Sequence, residues 1–383
     1  MMTVKRVLYV LGIVALILGL YGFYSRLFIG ERDVNYGSYV TWGLWVAMYL
    51  FFAGIASGSF VIATLEYLFE VPLFKGTGKL ALWAAMVTLP AALISIGMDL
   101  GHLERIWKVY LQPNPTSLLA QMVWGYTIFG GVILLSLWLV ARHGHRSTFA
   151  VKALMMVGFV MAIFVSGGVG ALLGVNASRA VWHVGLLPAQ FPIFSLATGV
   201  ALMLTIVSFF GTMEDAIRVR LQRVLSIGMV VLLLVKTYLL WSDFSMSLYS
   251  GVPQNVDAIN AVMYGDYWWS FWILQIVLGT ILPIIVLIMP NWSKNRLLAG
   301  LTGIVILIGF GAARANIVFP ALSIPELEGM AEAFSGPHLN FDYFPSLMEW
   351  SLTIGVVGLA TLAYLIGIDR LPFLKQTSSE VTQ

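Results

Sequence analysis

The residues with the richest chemistry close a long apolar run that begins near Leu80. Ser95, Asp99, His102, Glu104 and Arg105 bring a hydroxyl, two carboxylates, an imidazole and a guanidinium together where hydrocarbon gives way to water. Ser95, Asp99 and His102 follow at intervals of four and three, so they share one face if the helix continues that far. A carboxylate beside an imidazole can take up or deliver a proton near neutral pH. A second set lies far along the chain. Lys236 and Asp243 end another apolar run, and Arg179, Arg314 and Glu349 stand near the ends of three others. An Arg, Lys or Asp at the centre of a spanning helix costs about 2.5–3.5 kcal/mol, and the cost falls toward the ends. Snorkelling accounts for any one of these groups. Six at one level (Asp99, Arg179, Lys236, Asp243, Arg314, Glu349) point to a polar cavity there.

The elements that must position them are membrane helices. Of 383 residues 60% are hydrophobic and 10% charged, with a mean hydropathy of +0.90. Soluble domains carry about 25% charged residues. The net charge of +3 is too small to imply a nucleic-acid partner. Apolar runs centre on 5–26, 38–69, 79–100, 118–141, 150–174, 189–211, 222–243, 267–290, 297–318 and 346–368. A spanning helix needs about 20 such residues. The expected fold is an all-α integral membrane protein of ten transmembrane helices. The first run lacks an A-x-A-like cleavage site and reads as a helix rather than a signal peptide.

Ten spans put both termini on one side. That side carries 14 basic residues and the other 7, so the positive-inside rule makes both termini cytoplasmic. The long external connections, 101–117, 244–266 and 319–345, read as a docking surface or a lid. A faint internal repeat links Asp99 with Asp243, and Gly170–Gly174…Arg179 with Gly309-Phe310-Gly311…Arg314. It divides the chain into a first helix (1–30), a four-helix bundle of helices 2–5 (31–185), a second of helices 6–9 (186–320), an external loop and tenth helix (321–370), and a cytoplasmic tail (371–383). Helices 1 and 10 would flank the bundles. Small residues such as Gly54, Ser57, Gly58, Gly167, Gly168, Gly170 and Gly174 predict close helix packing.

Cysteine is absent, so thiolate-bound iron–sulfur clusters, covalent haem and disulfides are excluded within this chain. His102 and His183 fall at helix ends or in loops, where a b-type haem is not expected. No ligand set has metal spacing. Trp42, Trp45, Tyr264, Tyr267, Trp268, Trp269 and Trp272 read as an aromatic belt. Glu214 and Asp215 read either as solvated loop charge or as a point of proton uptake, and Glu66 and Glu70 carry the same two readings.

The order of several motifs resembles the NrfD-like family, the integral membrane subunits of polysulfide reductases. Trp42-Gly43-Leu44-Trp45…Ala53-Gly54-Ile55-Ala56-Ser57-Gly58 is similar to the family's opening motif. Asp99-Leu100-Gly101…Arg105 with Pro115-Thr116-Ser117 resembles its second. Gly170…Trp182…Leu187-Pro188…Phe191, Phe271-Trp272…Gly279…Leu282-Pro283 and Tyr343-Phe344-Pro345-Ser346…Glu349 resemble later ones. Family members often read Asp-Leu-Gly-Arg-Pro where this chain reads Asp-Leu-Gly-His-Leu, which leaves the role of His102 open.

The resemblance implies a subunit without redox centres of its own, in a prokaryotic inner (cytoplasmic) membrane. It would bind a quinone or quinol, menaquinone or ubiquinone. It would exchange electrons with an iron–sulfur subunit docked on the external face, with a molybdopterin or other catalytic subunit beyond. Enzyme activity would belong to it only as the quinone-reactive part of such an oxidoreductase complex. Asp99 and His102 would then handle the quinol proton. Ser95, Arg105, Ser117, Arg179 and His183 would line the quinone site, with Lys236, Asp243, Glu214, Arg314 and Glu349 forming a second-bundle polar set or proton path. Ser166, Thr198 and Thr205 could extend that path. The rival reading is an ion or solute carrier, since paired bundles also suit alternating access. Carriers place their ionisable groups near the midplane, whereas here they gather toward one end.

Overall fold

A computed structural model describes residues 2–211, 213–334 and 336–374, so most of the tail expected at 371–383 lies outside the described residues. No strand occurs among them. Ten helices are long and apolar enough to cross a bilayer: α1 Val4–Ile29, α2 Leu44–Tyr67, α3 Gly78–Asp99, α4 Leu118–His143, α5 Phe149–Gly174, α6 Leu187–Phe210, α7 Asp215–Ser250, α8 Ser270–Ile288, α9 Arg296–Ser323 and α10 Leu347–Arg370. The chain is a multi-pass integral membrane protein. Helices satisfy most of their backbone polar groups internally, as hydrocarbon requires; Pro90, Pro192 and Pro320 interrupt that ladder in α3, α6 and α9.

The helices close into two rings. In the first, α2 packs on α3 and α5, and α4 on α3 and α5. In the second, α6 packs on α7 and α9, and α8 on α7 and α9. The rings meet where α2 crosses α6 and α9 and where α5 packs on α6. The outer pair, α1 and α10, lies along each other, with α10 also touching α3 and α2.

Small residues set three close crossings. A Cβ added at Gly58 would lie 2.9 Å from the Gly199 nitrogen (α2–α6). At Gly279 it would lie 2.6 Å from the Gly309 Cα (α8–α9), and at Gly355 2.7 Å from the Gly19 Cα (α10–α1). Neither lipid nor water separates backbones at such range, so packing itself joins the helices.

Several elements depart from the apolar runs. α2 begins at Leu44 rather than 38, because residues 30–43 are held as an irregular segment. The Asn35 amide donates to Glu349 Oε2 at 3.1 Å, and the Leu44 amide donates to the Tyr343 hydroxyl at 2.7 Å. α7 is 36 residues long and ends at Gly251, whose φ of +66° suits a residue without a Cβ. It outruns the run at 222–243 at both ends. The first part of α8, Ser270–Ile281, winds with the wider π spacing. The connection after α7 holds a further helix, Pro253–Met263. Its buried positions Asn255, Ala258, Ile259 and Val262 form one stripe, and Asp257 and Asn260 face outward.

Even spans leave the described chain's ends on one face, here the terminal face, with the Lys5–Asp369 ion pair bridging them. The long connections form the opposite loop face.

Candidate functional site

Toward the loop face the second ring does not close on itself. α6, α7, α8, α9 and the Pro253–Met263 helix surround a narrow, partly open cavity of about 60 Å³. Ligand pockets are mostly apolar clefts with a few placed polar groups. Here the walls are chiefly Phe, Leu, Ile, Val and Ala, and the polar groups are Lys236, Asp243, Gln190, Gln275 and Asn316. Lys236 and Asp243 stand seven residues apart on α7, so they present to the cavity about two turns from one another.

Each polar group is held by its own surroundings. Lys236 is 1% exposed and donates to Thr280 Oγ1 on α8 at 3.1 Å, with its ammonium 4.7 Å from the centre of the Phe310 ring. Thr280 in turn bonds the Gln275 carbonyl five residues back, which the wide winding of α8 allows. Asn316 Nδ2 donates to Gln275 Oε1 at 2.7 Å, while its Oδ1 is buried with no partner among the described residues. Pro320, one turn on, has no N–H to offer the Asn316 carbonyl. The cavity is therefore lined by an ammonium group on one wall and a buried side-chain amide on another.

The corresponding end of the first ring is crowded with charged groups. Asp99 has Glu31, Glu349 and Arg26 as its charged neighbours, and its Oδ1 is buried without a partner among the described residues. Arg26 donates to the Met98 and Leu100 carbonyls and pairs with Glu31 at 2.8 Å. Burial, reinforced by Asp99 and Glu31, pushes the Tyr36 hydroxyl far above its ordinary value. Glu349, fully buried, accepts from the Tyr343 hydroxyl and from the Asn35, Leu44 and Ser346 amides, and completes a capping box with Ser346 at the start of α10. Burial and the Glu349 carboxylate drive the Tyr343 hydroxyl well up, so it stays a donor.

The structure thus joins Lys236 with Asp243, and Asp99 with Glu349, and separates other residues of interest. His102 turns away to Glu104, at 3.0 Å, with both side chains about two-thirds exposed (64% and 67%), and Arg105 meets the same carboxylate at 3.5 Å. Ser95 bonds back to the Ala91 carbonyl within α3, and Ser117 caps α4 through the Ala120 amide. His183 Nδ1 lies 2.8 Å from the Gly174 carbonyl. Arg179 reaches the Ala321 and Ile324 carbonyls and pairs with Glu326 at 3.0 Å, beside a smaller cleft at the cavity's edge. Burial lowers the proton affinity of its guanidinium and Glu326 opposes that. Arg314 is buried behind Phe194, stacked 4.0 Å from the centre of Phe191, with Nε and Nη1 unpartnered among the described residues. Glu214 is exposed at the foot of α7, while Asp215 beside it pairs with Arg218 and Arg296. Ser166 bonds Ser195, Thr198 the Ser195 carbonyl, and Thr205 the Ala201 and Gly300 carbonyls. No group of three or more His, Cys, Asp or Glu among the described residues could hold a metal ion.

Gln190, Gln275 and Asn316 are not among the candidates that charge and spacing pick out. Their signal in the sequence is an amide inside an otherwise apolar span.

Comparison with known proteins agrees with the fold and the motif order. The sequence profile of the family described as "Polysulphide reductase, NrfD" matches residues 34–326. One subunit of the selenate reductase of Mesobacillus selenatarsenatis is 31% identical, covering 94% of this chain and 92% of its own. The Hdr-like menaquinol oxidoreductase integral membrane subunit of Archaeoglobus fulgidus is 24% identical over 94% and 92%. The menaquinone reductase integral membrane subunit of Nitratidesulfovibrio vulgaris is 21% identical over 94% and 89%. Helices, motif order and near full-length similarity converge: the chain belongs to the NrfD family of polysulphide reductase membrane subunits.

Proposed function

We propose that the chain is the membrane-anchoring, quinone-reactive subunit of a respiratory oxidoreductase complex, and that the cavity of the second ring is its quinone site. The carrying observation is the cavity itself, apolar-walled, with Lys236 and the free Asn316 Oδ1 on different walls. Relatives named for menaquinol and menaquinone chemistry support the class of substrate and favour menaquinone over ubiquinone.

Oxidising a quinol releases two electrons and two protons. Lys236 would donate a hydrogen bond to one quinone oxygen, and Asn316 Oδ1 would accept from the hydroxyl at the other end of the quinol. Asp243 is the carboxylate that would take the two protons one after the other and release each toward the loop face. With no cysteine in the chain, electrons would pass directly to a cluster in an iron–sulfur subunit docked on that face, with a catalytic subunit beyond. The charge asymmetry makes the loop face external and the termini cytoplasmic, in a prokaryotic inner membrane. The reverse reaction, quinone reduction, consumes two protons, and their uptake from the terminal face by way of Glu214 and the α6 hydroxyls is a further step of this reading. A carrier is the weaker alternative, because the buried ionisable groups cluster toward one face.

Two experiments test it. Affinity purification from native membranes should bring down an iron–sulfur protein, and recovery of the chain alone at full stability would favour the carrier. A photoreactive naphthoquinone should label peptides 236–244, 271–275 or 313–321, and excess menaquinol should displace it. Displaceable labelling confined to 95–105 would move the site to the first ring.

A further inference from the structure

The connection between α3 and α4 reads in the sequence as part of a docking surface, yet its course is downward. After Asp99 the chain makes two short helical turns, Leu103–Arg105 and Lys108–Leu111. The second is fastened to the side of α4 and not to its top. The Tyr110 hydroxyl lies 2.6 Å from Thr127 Oγ1, and the Trp124 indole donates to the Val109 carbonyl at 3.2 Å. Higher up, the Gln121 amide donates to the Pro115 carbonyl at 2.7 Å. Thr127 follows Leu118, the first residue of α4, at such a spacing that Tyr110 reaches about 14 Å down that helix. With 26 residues α4 is about 39 Å long, against a hydrocarbon core of about 30 Å. Equal overhang at both ends puts the Tyr110–Thr127 bond about 9 Å below the headgroup boundary. The flank it follows faces outward, since Thr127, Ile128, Leu134, Leu135 and Trp138 are exposed at helical intervals.

We propose that residues 103–111 are a membrane-embedded foot in the leaflet of the loop face, and that their partner is the phospholipid interface itself. The segment buries little in the protein. Leu103, Ile106, Trp107, Tyr110 and Leu111 are all exposed, Trp107 at 50% and Leu111 at 73%. Left in water, such side chains cost about 25 cal/mol per Å² of apolar surface. A water-soluble partner would have to enter hydrocarbon to cover them, at the depth that Tyr110 marks, whereas lipid already occupies that depth. Trp and Tyr are the residues that settle at a membrane–water boundary. Two cations punctuate the apolar set: Arg105, which meets Glu104 at 3.5 Å, and Lys108, which lies 5.9 Å from the centre of the Trp107 ring. Long basic side chains lay their stems in the apolar layer and carry their charge up to the lipid phosphates. The same depth accounts for the Tyr110–Thr127 and Trp124–Val109 bonds, because each gives a polar group a protein partner where water is scarce. The foot ties the end of α3 to the outer flank of α4, and the inference does not depend on where a quinone binds.

The chain has no cysteine of its own, so the wild-type complex gives the background for a labelling test. Leu111→Cys in the foot and Asn114→Cys above it each carry a bimane fluorophore in the assembled complex, reconstituted in nanodiscs of phosphatidylcholine and phosphatidylglycerol. A phospholipid with a nitroxide high on its acyl chain should quench the label at 111 about threefold or more above that at 114. Iodide, confined to water, should show the opposite order. Equal access of iodide to both positions overturns the foot. Protection of 111 from both quenchers overturns it as well, and is the result expected if a partner subunit or a second copy of the chain covers the segment. Ile106→Cys is the second reporter, read in the same way, should a label at 111 disturb assembly. The double variant Arg105→Gln/Lys108→Gln should raise iodide quenching at 111 about twofold as the segment loosens from the phosphates, and an unchanged value overturns the phosphate contacts.

Discussion

Each ring carries an aspartate toward the loop face, Asp99 at the end of α3 and Asp243 two turns before the end of α7, and surrounds it differently. Around Asp99 the outer helices and their connections supply Arg26, Glu31, Tyr36 and Glu349. Around Asp243 there is open volume. The lesson is that a polar residue at the right depth does not define a site; the space beside it does. α10, with α1 alongside it, lies against the first ring and turns its polar end into a structural knot. The second ring has no such cover; there the Pro253–Met263 helix and Val181 and Trp182 of the α5–α6 connection close over the cavity.

Five substitutions can break or sharpen that contrast. Lys236→Met should have the largest effect, lowering quinol-dependent turnover of the assembled complex about 100-fold, with thermal unfolding little changed. Wild-type turnover in that variant would remove Lys236 from the chemistry. Glu349→Leu acts on the other region, stripping the Tyr343 hydroxyl and three amides of their shared acceptor. It should lower stability by about 2–3 kcal/mol, read as thermal unfolding in detergent, while the complex that survives keeps its specific activity. Asn316→Leu should weaken quinone binding by about tenfold, measured by titration of the purified complex; an unchanged affinity would mean that the free Oδ1 does not face the ligand. Asp99→Asn should change turnover by less than about twofold, and since Glu31 and Glu349 lie nearby it should leave the melting temperature level or raise it. The exposed His102→Ala should be as mild, because exposed ion pairs contribute about 0–1 kcal/mol. A tenfold loss of turnover from either would return the chemistry to the first ring.

Much of this is legible in the sequence because hydrocarbon enforces simple rules. All ten spans follow from apolar length, and the glycines that predict close packing include Gly58, which sits at the α2–α6 crossing. Lys236 and Asp243 are visible as charges out of place. The cavity between them is not, because volume depends on how far helices splay, and neither the wide winding of α8 nor its fastening to α9 has a signature in local composition. Asp99 stands out for a sound reason, a charge after an apolar run, yet its neighbours come from residues 26–36 and 349, which spacing along α3 cannot reveal. Gln275 and Asn316 escape notice because an uncharged amide disturbs hydropathy less than a charge does. The helix at Pro253–Met263 leaves a clearer trace, a proline followed by buried positions at helical intervals.

The seam between α1 and α10 has a consequence for how the protein is made. The Gly22 amide bonds Ser351, 329 residues later in the chain, and Gly19 meets Gly355 at backbone contact. At about 5–20 residues per second, the first helix therefore waits roughly 15–65 s in the bilayer before its seat emerges from the ribosome. During that interval its glycine face is bare to lipid and the knot around Asp99 cannot form. Locking of the first ring is thus a late event in biosynthesis, and a chain that stops before α10 would leave the earliest-inserted helix without its mate.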